Sequence, residues 1–76
     1  MGERTAQQRR LASRCGLTDR EAEVLDLITQ GLTNGAIAGQ MGVALKTVKN
    51  HINRTYAKLG ARTRSEAVAM WTAAEA

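Results

Sequence analysis

The spacing of apolar residues along the chain predicts helices. Residues 18–21 (Thr-Asp-Arg-Glu) have the form of a capping box, in which a Thr and a Glu side chain satisfy backbone N–H groups at a helix start. Behind this box, Leu25 and Ile28 belong to an apolar set with the spacing of one helix face. The set stops at Gly31, a residue that easily adopts the left-handed conformation of a helix end. A helix over about residues 19–30 is therefore predicted.

Three further helices follow from the same kind of pattern. A short apolar stripe after Thr33 stops at Gly42, and a longer one stops at Gly60. Residues 63–66 (Thr-Arg-Ser-Glu) form a second capping box. The apolar side of the longer stripe consists of Val48, Ile52, Thr55 and Leu59. The predicted helices span about residues 34–41, 45–59 and 64–74.

Residues 1–16 are basic and have only a weak apolar pattern, formed by Leu11 and Cys15. A helix over about residues 4–14 and a frayed basic arm both fit this segment. Residues 17–76 contain the four helices predicted above. The sequence also has no Pro, which favours helices throughout. The fold is thus predicted to be all-α, with an optional fifth helix at the N-terminus.

Length and composition exclude several kinds of function. A chain of 76 residues buries only roughly 60% of its unfolded surface, which leaves little room for a catalytic cleft. It contains no nucleophile–base pair and no phosphate-binding loop. One Cys and one His argue against a disulfide or a metal site, and nothing resembles a signal peptide or a membrane span. We expect a cytoplasmic protein that is not an enzyme and has no cofactor, metal, membrane partner or small-molecule ligand.

Residues 34–59 have the order of a helix-turn-helix: a short helix, a turn at Gly42 and a longer helix, with small Ala38 suited to a close crossing. The net charge is +4, and from Lys46 to Arg64 there are six basic residues and no acidic one. A helix exposed only to water usually mixes charges, because oppositely charged neighbours stabilise it. DNA phosphates and base edges explain a basic face with Asn and Thr better than a merely soluble surface does.

Several segments match one protein family, and they follow one another in the same order as in that family. They are residues 17–25 (LTDREAEVL), 31–34 (GLTN), 37–38 (IA), 46–52 (KTVKNHI), 58–60 (KLG) and 64–68 (RSEAV). Through them the chain resembles the LuxR-type helix-turn-helix family, the output domain of many bacterial transcription regulators. The resemblance covers about two-thirds of the chain. It implies a four-helix domain whose third helix enters the major groove of double-stranded DNA.

The resemblance also implies roles for individual residues. Base contacts are implied for Lys49, Asn50 and Asn53. Phosphate contacts are implied for Thr33, Asn34, Lys46, Thr47, Arg54 and Lys58. For Thr33 and Asn34 an ordinary N-cap role is an equal and compatible alternative. His51 is expected to pack or to bond the backbone, with a phosphate contact as the alternative.

The last helix is implied to be a pairing surface, because family members commonly dimerise on DNA through it. Met70, Trp71 and Ala74 are the expected contacts of a homodimer, although Trp71 could equally complete the core. RNA polymerase is a further expected partner. A protein-interaction module that docks on another regulator or on RNA polymerase is the alternative function. Both an excised C-terminal output domain and a free-standing regulator fit the sequence.

Four residues depart from the family pattern. Ala36 stands in place of a Glu, Ala44 in place of a capping Ser, Thr55 in place of a large aliphatic residue, and Ala61 in place of a Val. Each departure weakens packing or capping, and none lies on the expected reading face. They therefore affect stability more than DNA binding.

Overall fold

A computed structural model describes residues 4–75, which form five α-helices joined by short turns. The helices are α1 Ala6–Cys15, α2 Asp19–Thr29, α3 Asn34–Met41, α4 Leu45–Leu59 and α5 Arg64–Ala73. The all-α prediction is confirmed, and the N-terminal segment forms a helix rather than a frayed arm. Residues 1–3 and 76 of the predicted domain ranges lie outside the described residues. Within the described part, no helix is both long and apolar enough to cross a membrane.

Side-chain caps explain where α2 and α5 begin. At α2 the predicted capping box is complete: Thr18 Oγ1 accepts from Glu21 N at 3.1 Å, and Glu21 Oε1 accepts from Thr18 N at 2.8 Å. At α5 only half of the predicted box forms. Thr63 Oγ1 accepts from Glu66 N, but the Glu66 carboxylate accepts from Arg62 N at 2.6 Å instead of from the cap residue. A competing donor nearby therefore redirects the Glu66 side chain.

Two clusters of buried side chains form the core, and α2 contributes to both. The first cluster contains Val24, Leu27, Ile28, Ile37, Ala38, Val48 and Ile52. The second contains Ala22, Leu25, Leu59, Ala67 and Trp71. The first cluster packs α3 and the front of α4 against α2, whereas the second packs the end of α4 and α5 against α2. The helix-turn-helix is thus held by a shared central helix.

Helix α1 is attached to the end of α5. Gln8, which is only 4% exposed, donates from Nε2 to Trp71 O at 3.2 Å, and Thr5 Oγ1 donates to Ala74 O at 2.6 Å. These bonds satisfy carbonyl groups that the last turn of a helix otherwise leaves unpaired. Leu11 and Cys15 pack against the second core cluster. The basic N-terminal segment is therefore an integral part of the fold.

Candidate nucleic-acid interface

The helix-turn-helix consists of α3, a turn through Gly42 and α4. Gly42 has φ 69°, a left-handed conformation that Gly adopts without a steric penalty. The next amide, Val43 N, donates to Ala38 O at 3.0 Å and closes the turn. Ala38 is itself nearly buried, so its small side chain lets the two helices approach. The predicted motif is therefore present with its expected turn residue.

Helix α4 has a buried side and an exposed side. Its buried residues are Val48, Ile52, Thr55 and Leu59, the four predicted from the apolar stripe. Lys49, Asn50 and Asn53 are all exposed on the other side. Within the described part of the chain, none of their side chains forms a hydrogen bond to the protein. The polar groups of these three side chains are therefore available to bind a ligand.

The residues expected at phosphates differ in how exposed they are. Lys46 and Arg54 are exposed, while Thr47 is half-buried beside them on α4. At α3, Thr33 Oγ1 accepts from Ala36 N at 3.1 Å. The structure therefore supports the N-cap role of Thr33.

Arg64 links the start of α5 to the start of α3, and it was absent from the predicted site. Its Nη2 donates to Leu32 O at 2.6 Å, and its Nη1 contacts Asn34 Oδ1 at 3.4 Å. The guanidinium thus lies beside residues expected at the DNA backbone. In the sequence, Arg64 belongs to the all-basic segment and to the matched stretch 64–68, but its contact with the start of α3 was not predictable, because Asn34 and Arg64 are 30 residues apart.

Lys58 has a partner within the protein. Its Nζ lies 2.8 Å from Oε1 of Glu21, whose side chain is 2% exposed, against 34% for Lys58. Burial tends to raise the pKa of Glu21, but the hydrogen bonds from Lys58 and Thr18 and the charge of Lys58 outweigh it, so the pKa lies below its ordinary value of 4.5. Lys58 therefore compensates a buried carboxylate, a role that the sequence did not predict.

The charge around the helix-turn-helix is of one sign. Between Asp26 and Glu66 the sequence contains no Asp or Glu, so α3, the turn and α4 carry no carboxylate. The first turn of α4 therefore lacks the acidic residues that usually complement the positive end of a helix dipole, and Ala44 gives it no side-chain cap. This end of α4 is electrostatically suited to an external anion.

His51 is half-buried on α4, and its Nδ1 is buried without a hydrogen-bond partner among residues 4–75. The ring is thus partly packed into the protein, which agrees with the packing role rather than with a phosphate contact through this nitrogen. Across the described residues, no group of three His, Cys, Asp or Glu side chains could hold a metal ion.

The predicted pairing surface on α5 needs one correction. Trp71 is 0% exposed, belongs to the second core cluster and donates from Nε1 to Asp26 Oδ1 at 2.9 Å. It completes the core and has no surface to offer a partner. Met70 and Ala74 remain half-buried, and together with Leu11 of α1 they line a groove of about 390 Å³.

Comparison with known proteins gives a consistent picture. The family model described as "Bacterial regulatory proteins, luxR family" matches residues 16–71, which begin just after α1. The DNA-binding transcriptional activator DevR/DosR of Mycobacterium tuberculosis is 49% identical over 57 residues, 75% of this chain and 26% of the relative.

Two further relatives are the HTH-type transcriptional regulators MalT of Serratia proteamaculans and of Cronobacter sakazakii. They are 52% and 50% identical over 52 residues, 68% of this chain. The chain spans only 6% of the length of each of these two proteins. No solved structure gave a significant match.

Proposed function

Because the chain belongs to the luxR family of bacterial regulatory proteins, we propose that it binds double-stranded DNA sequence-specifically and regulates transcription. The observation that carries this proposal is the exposed side of α4, where Lys49, Asn50 and Asn53 lie together in a segment without carboxylates. Lys can donate to guanine O6 and N7, and Asn can bond adenine N6 and N7 in the major groove. These three residues are the proposed base readers.

Phosphate contacts hold the protein in register on the duplex without reading its sequence. The proposed contacts are Thr33, Asn34, Lys46, Thr47, Arg54 and Lys58. Lys46 lies in the first turn of α4, where the helix dipole also favours an anion. Lys58 is expected to contribute less than Lys46 does, because the Glu21 carboxylate already compensates its charge.

The test begins with selection of bound duplexes from a random pool, using the 76-residue chain. We expect Lys49→Ala and Asn53→Ala to relax the selected sequence at particular positions. Lys46→Ala is expected to weaken all duplexes alike and to reduce the salt slope by about one. Arg10→Ala, which removes an exposed cation from α1, is the matched control and is expected to change neither preference nor slope.

Salt dependence checks the phosphate contacts as a set. If Lys46 and Arg54 each neutralise one phosphate, affinity falls about 12-fold between 50 and 200 mM monovalent salt, and a full contact by Lys58 would raise this to about 40-fold. An affinity that is unchanged over this range contradicts the phosphate contacts. Salt-independent binding of a regulator or of RNA polymerase, with no selected duplex, would instead support the protein-interaction alternative.

We further propose that two copies pair on DNA through the surface of α5 that contains Met70 and Ala74. Two half-sites about one helical turn apart are then expected. Met70→Ala is expected to lower affinity for a two-site duplex and to spare a single half-site, while Thr72→Ala on the same helix changes neither. Equal losses on both duplexes would count against pairing through α5. A DNA partner also implies that the protein acts in the bacterial cytoplasm.

A further inference from the structure

Leu45 is the one large apolar side chain that is exposed among residues 4–75, with 44% of its surface accessible. It is the first residue of α4 and belongs to neither core cluster. Single exposed apolar residues occur on many proteins. This one is unusual for its position, because it lies at the end of the helix that is proposed to enter the major groove.

The local structure gives Leu45 no role in holding α4 together. A hydrophobic staple across this helix start would use Val43, before the cap, and Val48, one turn in. Both of these residues pack in or against the first core cluster. An acidic residue at the position of Leu45 would stabilise the first turn through the helix dipole, whereas Leu does not. The stability of α4 therefore does not account for this side chain.

Leu45 continues the row of proposed base readers. Leu45, Lys49 and Asn53 follow one another at intervals of four residues, which places them on adjacent turns along one edge of α4. Side chains on a helix tilt toward its N-terminus, so the side chain of Leu45 projects beyond the first turn of α4. In helix-turn-helix proteins, the N-terminal residues of the second helix contact base edges.

We propose that Leu45 contacts the C5 methyl group of a thymine and so selects a T·A pair at one position of the binding site. This methyl is the apolar group that distinguishes thymine in the major groove. Contact with it removes apolar surface of both groups from water. The inference rests on the proposed DNA-binding function and adds a fourth reading residue of a different chemical kind.

The experiment replaces thymine by deoxyuridine, which lacks only this methyl, one position at a time in the best selected duplex. For the native chain, replacement of one particular thymine is expected to weaken binding by about fourfold, the effect of one methyl removed from water. In a two-site duplex, the symmetry-related thymine, replaced singly, is expected to have the same effect. In Leu45→Ala the same replacement is expected to have no effect, because the contact is already lost. Leu45→Met retains an apolar side chain and is expected to keep the dependence.

The other outcomes are distinguishable. If every thymine whose methyl matters to the native chain matters equally to Leu45→Ala, other residues make those contacts, and this overturns the inference. Selected binding with no sensitive thymine also overturns it, while the proposed function stands. If no duplex is bound preferentially, both are overturned together. Because Leu45 is exposed, the variants are expected to melt within a few degrees of the native chain, which circular dichroism checks.

Discussion

Replacing Lys58 by Met tests whether the ion pair with Glu21 holds α4 to the start of α2. Met has a side chain of similar length to the apolar stem of Lys, but it lacks the ammonium that lies 2.8 Å from the Glu21 carboxylate. That carboxylate, 2% exposed, also accepts the Thr18 N–H of the capping box. The variant therefore leaves a buried charge with the capping interaction as its remaining compensation.

The magnitude follows from the burial of the two groups. Removing one partner of a fully buried pair destabilises a protein by about 3–5 kcal/mol. Lys58 is 34% exposed, so water screens part of the interaction, and we expect a loss of about 2–3 kcal/mol. For a domain of this size the loss corresponds to a melting temperature lower by about 10–20 °C.

The ion pair also predicts that the stability loss depends on pH, which a loss of packing alone would not produce. The pKa of Glu21 lies below 4.5 in the folded protein, so the pair contributes stability above about pH 4.5. This contribution is lost as the pH falls through the lower, folded-state pKa. The difference between Lys58→Met and the native chain is therefore expected to be largest near neutral pH and to shrink in acid.

Denaturant unfolding followed by circular dichroism measures both quantities. Lys49→Met is the matched control, because Lys49 is exposed on the same helix, and it is expected to change the free energy of unfolding by less than about 0.5 kcal/mol. Equal effects of the two substitutions, or a Lys58→Met deficit that persists unchanged at about pH 3.5, would refute the ion-pair reasoning.

Three further predictions test the fold. Ala44→Ser is expected to stabilise α4 by about 1 kcal/mol by supplying the missing cap, whereas Ala57→Ser inside the same helix is expected to destabilise it; equal thermal shifts would contradict this. Asp26→Ala leaves the buried Trp71 N–H without an acceptor and is expected to cost about 1–3 kcal/mol in denaturant unfolding, with Asp26→Asn costing less. Thr55→Val replaces a fully buried hydroxyl, which donates to His51 O at 2.6 Å, by a methyl group, and because such a bond within a helix adds little stability the change is expected to be neutral or stabilising by up to about 1 kcal/mol; a clear loss of melting temperature would show that the hydroxyl is needed.

The site was predictable where it depends on one helix. Lys49, Asn50 and Asn53 share the exposed side of α4 because positions on a single helix are fixed by its 3.6-residue period. The partners of Lys58 and Arg64 were not predictable in this way. Glu21 lies on α2, and Leu32 and Asn34 lie in the turn before α3 and at its start, so their distances from Lys58 and Arg64 depend on how the helices pack.

The sequence by itself determined α2 to α5 and where they begin and end to within about a residue, since capping residues, Gly stops and apolar spacing act within a few residues of chain. Even there the α5 capping box formed only in part, because a neighbouring amide competed for Glu66. Tertiary structure alone decided that Trp71 faces the core, that α1 is attached to α5 and that Leu45 stays exposed. Which face of a helix is covered depends on the packing of several helices at once, and no local pattern encodes that arrangement.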